Sequence, residues 1–291
     1  LCLTMVFSAA ACSPKTPDDE KGAVDIWGAP ATEKILADKP GEYQSVRTEA
    51  AVNLTMAKNE YESSQIIMTP DYDVKSYDVT AGALTHSNGT DTIPAGNVEV
   101  FVEKYLSLGV VYDTAGGAVP GKYPDALLPF AAAKSRGENT IAKNTNQGLY
   151  ITVKTAENQA AGGYSGTITL NIDGNETKVP VSVTVADLTV SEENHLKSIF
   201  LSVRLYECGE LDGSQDIMDK YTQRLIDYRL SPHIIVTDTK HTPEDIKYYA
   251  DKAYEFMKNP RCSNISIPYS VTFLDGETCF DPEIMKAYVR E

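Results

Sequence analysis

"GLYITVKTAENQAAGGYSGTITLNIDGNETKVPVSVTVADLTV", residues 148–190, alternates apolar and polar positions through three consecutive runs. Leu149, Ile151 and Val153 interleave with Tyr150, Thr152 and Lys154. Ile168, Leu170 and Ile172 share one face of the second run, and Val179, Val181, Val183 and Val185 share one face of the third. Successive side chains of a pleated strand point to opposite faces, so each run predicts one buried face and one wet face. Gly162–Gly163 and Asp173–Gly174 supply turn chemistry between the runs. Working outward, "SSQIIMTP" (63–70) and "NVEVFVEKYLSL" (97–108) read as further strands. Short strands at this spacing predict an antiparallel β-sandwich over residues 24–190.

Two stretches in this region need separate readings. "GKYPDALLPF" (121–130) carries Pro124 and Pro129, which bar a regular helix and fit poorly inside a central strand. It reads as a rigid apolar interdomain loop. Leu127, Leu128 and Phe130 are expected at an interface, while Tyr123 and Asp125 either reach a ligand or serve that interface. "NEYES" (59–63) is read as structural, with Glu60 and Glu62 on one face of a strand.

After residue 195 the period changes. "LKSIFLSVRLY" (196–206) is a near-continuous apolar strand pattern, and "SQDIMDKYTQRLIDYR" (214–229) places Ile217, Tyr221, Leu225 and Tyr228 at helical spacing. "HIIVT" (233–237) reads as a short buried strand. "TPEDIKYYADKAYEFMKNP" (242–260) is a marked helix, with Thr242 as cap, Pro243 in the first turn, Glu244 and Asp245 at the positive end, and Ile246, Tyr249, Ala253 and Phe256 on its apolar face. "NISIPYSVTF" (264–273) and "DPEIMKAYVRE" (281–291) add a third strand and a third helix. Strands alternating with helices predict a parallel sheet. The reading is the first three β/α units of a (β/α)8 TIM barrel over residues 196–291, joined by a link at 191–195. A whole barrel needs about 250 residues, so the barrel is expected to be incomplete in this chain. A doubly wound sheet is the alternative, but no GxGxxG or GxxxxGK[ST] follows any of these strands.

The start of the chain reads as export machinery. "LCLTMVFSAAAC" (1–12) resembles the remnant of a signal peptide ending in a lipobox, with Cys12 as the lipid attachment site, and residues 13–23 form a polar tether. The expectation is a protein lipid-anchored to a bacterial cell membrane or outer membrane; the alternative is a plain secretory signal cleaved near Ala11, giving a secreted protein. A net charge of −15 argues against a duplex nucleic-acid partner, which would require Lys and Arg patches. The five cysteines and four histidines show no metal-ligand spacing, and neither a metal nor a cofactor is expected.

The order of "AKNEYESSQIIMTP" (57–70), "PGKYPDALLPF" (120–130), "NQGLYITVKTAENQAAGGYSGTITLNIDG" (146–174) and "YRLSPHIIV" (228–236) resembles glycoside hydrolase family 123 and related bacterial proteins. The sharpest pieces are NE-x-E-x-x-Q, YPD-x-L-x-P and GGYSGT. The resemblance implies an N-terminal β-sandwich joined to a catalytic (β/α)8 barrel. It also implies an exo-acting β-N-acetylgalactosaminidase that works by a substrate-assisted mechanism, in which the sugar's own 2-acetamido oxygen attacks the anomeric carbon. Such enzymes depart from the usual arrangement of two enzyme carboxylates. The family's adjacent Asp-Glu pair has no counterpart at the strand ends here, so no catalytic residue is assigned and the pair is expected beyond Glu291. The chain alone is then expected to be inactive.

Barrel sites form at the C-terminal ends of strands, which points to Arg204, Tyr206, Asp238 and Tyr269 as substrate-binding residues for a glycan bearing an N-acetylhexosamine. Each has a plainer reading: Arg204 paired with a barrel acid, Tyr206 and Tyr269 packed in the wall, Asp238 capping a turn. A second class of function stays open beside the hydrolase, that of a non-catalytic, lipid-anchored glycan-binding lipoprotein with the sandwich as binding module.

Overall fold

The computed structural model describes residues 22–110, 119–200, 214–237, 241–267, 272–274, 277–279 and 282–291. The chain divides into two compact units, one up to Val190 and one from Ser191.

The first unit is built from two sheets. The five-stranded sheet has the order β1-β3-β9-β7-β8, from β1 (Val24–Pro30), β3 (Tyr61–Pro70), β7 (Val98–Leu108), β8 (Gly121–Pro129) and β9 (Gln147–Lys154). The other has the order β2-β11-β10-β5-β6, with β4 also on β10. Its strands are β2 (Val52–Lys58), β4 (Tyr77–Ala81), β5 (Leu84–His86), β6 (Thr92–Ile93), β10 (Gly162–Ile172) and β11 (Asn175–Thr189). One hydrophobic core joins them: Ile66, Met68, Leu149, Ile151 and Val153 from the first sheet meet Val52, Leu170, Val181 and Val183 from the second. The alternation in 148–190 is what fills it, since Ile168, Leu170, Ile172 and the four alternate valines of β11 are all buried.

The β10–β11 hairpin is the best-specified piece. Ile172 pairs with Asn175 across Asp173–Gly174, whose φ values are 47° and 83°. Two consecutive positive φ values make the primed turn whose twist suits a two-residue hairpin. Gly162–Gly163, expected as a turn, instead opens β10. Gly162 has φ 133°, and a Cβ there would lie 2.2 Å from His86 Nε2. The sandwich is also not wholly antiparallel, because β2 runs parallel to β11. At the corner Asn59–Glu60 the chain leaves β2 in one sheet and enters β3 in the other.

The expected loop at 121–130 is a correction. Residues Gly121–Pro129 are β8, the edge strand beside β7, and Phe130 opens α1 (Phe130–Ser135). Edge position explains how a strand carries two prolines, and the register slips by one residue beside Pro124, between Lys104 and Tyr105. Leu128 and Phe130 pack on the sandwich core, and Phe130 lies 5.9 Å from the Tyr77 ring. Leu127 is 46% exposed. Tyr123 turns to its own chain: its hydroxyl donates to Val119 O and accepts from Val119 N. Asp125 is exposed.

In the second unit, α2 (Gln215–Asp227), α3 (Pro243–Met257) and α4 (Pro282–Arg290) occupy the three expected helical positions. Thr242 and Asp245 form a reciprocal capping box on α3, and Ile246 and Tyr249 are buried. The inward face of α2 is rotated by one residue from the expected one. Met218, Thr222 and Ile226 are buried, while Tyr221 and Tyr228 are 38% and 42% exposed. Tyr228 lies against Arg224, with 5.1 Å between guanidinium carbon and ring centroid. An aromatic ring carrying a hydroxyl can cover a helix flank and keep its polar tip wet, so hydropathy alone misplaced the stripe.

The strands of this unit are corrected more strongly. Residues 233–237 form no strand, although Ile235 and Val236 are buried. Among the described residues the parallel pairing is one bridge, Phe200↔Pro232. Side-chain amides take the place of strand partners: Gln215 donates to Ile235 O and accepts from Thr237 N, and Asn264 donates to Ser198 O and accepts from Ser198 N. Among the described residues, the third expected strand appears as β12 (Thr272–Leu274), paired antiparallel with β13 (Glu277–Cys279).

Truncation at the centre of the sandwich tests this packing. Ile151→Ala, at a fully buried position shared by both sheets, is expected to cost about 2–5 kcal/mol of unfolding free energy in a denaturant titration.

Candidate functional site

The outer face of the five-stranded sheet concentrates the unusual chemistry. Residues of a strand that point away from the main core normally face water. Here Trp27, Ala29 and Ile67 point outward and are covered by Ile35, Tyr43 and Val46, forming a second small core. The connection between β1 and β2 lies across the sheet and is held by backbone and side-chain bonds. Ala37 N donates to Lys122 O, and Asn146 N donates to Ala37 O. Asn146 Nδ2 donates to Leu36 O, and the Gln65 amide donates to both Pro30 O and Glu33 O.

A depression of about 110 Å³ opens where this connection meets β1 and β3, lined by Asp25, Trp27, Tyr43, Gln44, Arg47 and Thr69. The Trp27 and Tyr43 rings are stacked, 6.3 Å apart at 25°. Arg47 lies over Trp27, 5.1 Å from its centroid, and its two terminal nitrogens donate to the two oxygens of Asp25 at 2.7 and 2.5 Å. Trp27 Nε1 donates to the Thr69 hydroxyl, which donates to Asn146 Oδ1. The carboxylate holds the Arg47 guanidinium above its ordinary pKa. Burial raises the Tyr43 phenol, opposed by the hydrogen bond it accepts from Leu36 N.

Farther along the same face, Glu103 on β7 is 3% exposed. Its carboxylate lies directly over Gly148 of β9, where a Cβ would come within 2.0 Å of Oε2. Tyr105 donates to Glu103 Oε2 at 3.2 Å and accepts from Gly148 N at 3.0 Å. Burial pushes the Glu103 carboxyl up to about 7, with the Tyr105 hydrogen bond acting the other way.

Arg204, Tyr206, Asp238 and Tyr269, the sequence-predicted substrate residues, lie outside the described residues, as does Cys12. Tyr123, Asp125, Leu127, Leu128 and Phe130 are brought together on β8 and the start of α1. The motifs that carried the family resemblance prove structural. Asn59 takes the left-handed conformation at φ 58° and donates from its side chain to Val190 O. The Glu60 carboxylate accepts from Ala57 N, so it sits in the corner rather than on a strand face with Glu62. Gln65 holds the β1–β2 connection, and the Tyr164 hydroxyl of GGYSGT links Gln159 to Ala160 O. Sequence reasoning missed Trp27, Tyr43, Arg47 and Glu103. The signal for Glu103 was an acid inside the apolar run "VEVFVEKY".

In the second unit Asn194 donates to Arg229 O and Arg261 O, Arg261 pairs bidentately with Glu192, and Ser231 bonds Ser263. Glu192 is therefore a structural partner of Arg261. Among the described residues no group of three or more His, Cys, Asp or Glu is placed to hold a metal, and no helix is long and apolar enough to cross a membrane. Cys262 is a buried free thiol whose pKa burial raises.

These observations meet the comparisons with known proteins. Residues 38–172 match the glycoside hydrolase 123 N-terminal domain. The fold resembles that of a family 123 glycoside hydrolase from Clostridium perfringens, solved in a study of glycolipid glycan hydrolysis. The TM-score is 0.55 at 15% identity, covering 92% of this chain and 44% of that one. The chain thus spans under half the length of that relative, and the likeness runs past Val190 into the second unit. Weaker likenesses, confined to just over half of this chain, are to the SafD adhesin of Salmonella (TM-score 0.27, 10% identity, 56% of this chain and 99% of that one) and the CooA pilin subunit of enterotoxigenic Escherichia coli (TM-score 0.28, 16% identity, 56% and 97%). No curated protein matches the chain.

A carboxyl whose folded pKa lies above its unfolded value binds its proton more tightly in the native state. Its stabilising contribution is full below the unfolded value and is lost as pH rises through the folded one. For Glu103 that window runs from 4.5 to about 7, and the loss is about 3 kcal/mol. The melting temperature of the sandwich is expected to fall across this range, and Glu103→Gln to flatten the fall. An unaltered pH profile in Glu103→Gln would reassign the effect to other groups.

Proposed function

We propose that this chain is the N-terminal part of an exported glycoside hydrolase that removes terminal β-linked N-acetylgalactosamine from glycans. The observation that carries the reading is the match of residues 38–172 to the glycoside hydrolase 123 N-terminal domain, supported by a fold likeness that continues into the second unit. In this reading the second unit begins a (β/α)8 barrel. The parallel bridge Phe200↔Pro232 and the three capped or acid-led helices suit that beginning. Arg204, Tyr206, Asp238 and Tyr269 would bind the sugar at the strand ends.

The chemistry assigned to the whole protein is substrate-assisted. The 2-acetamido oxygen attacks the anomeric carbon, one carboxylate polarises the amide, and a neighbouring acid protonates the departing oxygen. Both acids are assigned to sequence beyond Glu291. Cys12 is the proposed lipid attachment that holds the enzyme at the cell surface, near glycan substrates.

A second reading, a lipid-anchored glycan-binding protein without catalysis, is favoured by one feature, the aromatic and charged depression around Trp27 and Arg47.

The full-length protein should release the aryl group from an aryl β-N-acetylgalactosaminide, and residues 1–291 alone should not. Release only from aryl β-N-acetylglucosaminide would overturn the sugar assignment. Release from neither would overturn the sugar assignment but not hydrolysis of another glycan.

A further inference from the structure

We propose that the depression at Asp25, Tyr43, Gln44 and Arg47 is a subsite for one uncharged pyranose of a glycan, a site on the sandwich itself. The inference rests on the glycan reading above but not on catalysis.

The chemistry of the lining selects the ligand class. Asp25 and Arg47 neutralise each other through their bidentate pair, so the site offers no net charge to hold a phosphate or a carboxylate. The pair is not sealed: the Asp25 and Arg47 side chains are 51% and 31% exposed. Each carboxylate oxygen keeps a further lone pair and the guanidinium keeps N–H groups beyond the two it spends. A donor and an acceptor side by side suit adjacent hydroxyls of a sugar ring, each of which donates and accepts. Tyr43, half-buried and stacked on Trp27, offers a flat apolar surface to the ring's C–H face, and its rigid backing lowers the ordering cost of binding. Gln44 is exposed on the rim. At Gly41, φ is 86° and a Cβ would meet nothing within 4 Å, so the mouth is open.

The volume sets the mode. The depression of about 110 Å³ has room for several waters, each needing ~10–15 Å³ of such space. It accepts an edge or face of one sugar ring rather than enclosing an oligosaccharide. The Thr69 hydroxyl is already spent between Trp27 and Asn146. It therefore fixes the Trp27 ring, leaving Asp25, Arg47 and Gln44 to meet the ligand.

Trp27 is the one tryptophan in the sequence, so its emission reports this depression alone. Residues 1–291 titrated with N-acetylgalactosamine or galactose should show a saturable change in tryptophan fluorescence. Gln44→Ala and Arg47→Lys should weaken it at least threefold while the melting temperature of Gln44→Ala stays at the wild-type value. N-acetylneuraminic acid, which is anionic, should bind more weakly than either neutral sugar. No saturable change up to about 50 mM sugar, far above a ~1 mM Kd, overturns the subsite. So does a response unaltered in both variants, or Arg47→Lys lowering only the melting temperature. Hydrolysis by the full-length protein is read separately: release of sugar with no fluorescence response sinks the subsite alone, and a response without release sinks the enzyme alone.

Discussion

The five-stranded sheet is covered on both faces around β1 and β3, and much of the first unit follows from that. Its inner face meets the second sheet through Ile66, Met68, Leu149, Ile151 and Val153. Its outer face would leave Trp27 and Ile67 exposed, an apolar area worth several kcal/mol at about 25 cal/mol per Å². The β1–β2 connection removes that surface from water, and the hydrogen bonds from Gln65 and Asn146 satisfy its backbone as it crosses. The same crossing shapes the depression at Arg47, and farther along the face Glu103 lies buried against Gly148.

Covering a sheet with an irregular segment has a polar cost as well as an apolar gain. Buried backbone groups in such a segment need partners. In this protein long amide side chains provide many of them. Gln65 and Asn146 do so on the sandwich, and Asn194, Gln215 and Asn264 do so in the second unit. An amide donates and accepts at once, so one side chain can stand in for a neighbouring strand, as Asn264 does at Ser198 and Gln215 does at Ile235 and Thr237. Gln65 still keeps a buried oxygen without a hydrogen-bond partner among the described residues, so the cover is not fully compensated.

The family resemblance is informative about architecture in the same way. Asn59, Glu60 and Gln65 shape the corner between the sheets and anchor the cover, and the proline-bearing β8 closes an edge. In this chain these residues serve the fold. Activity belongs to a site grafted onto the fold, and for the hydrolase reading that site lies in the barrel.

What the sequence by itself determined is the part governed by local rules. Period-two alternation marked the core faces of β9, β10 and β11. Asp173–Gly174 marked the hairpin between the last two. Thr242, Pro243 and Asp245 marked the start of α3. Each of these depends on backbone geometry within a few residues. Only the tertiary structure decided that β2 runs parallel to β11, that two prolines sit on an edge strand, and that the α2 stripe runs through Met218, Thr222 and Ile226. It alone brought Asp25, Trp27, Tyr43 and Arg47 to one depression and sealed Glu103 over a glycine. Those outcomes turn on which segments meet across the fold. No local period records it, because burial of a side chain is a property of what covers it.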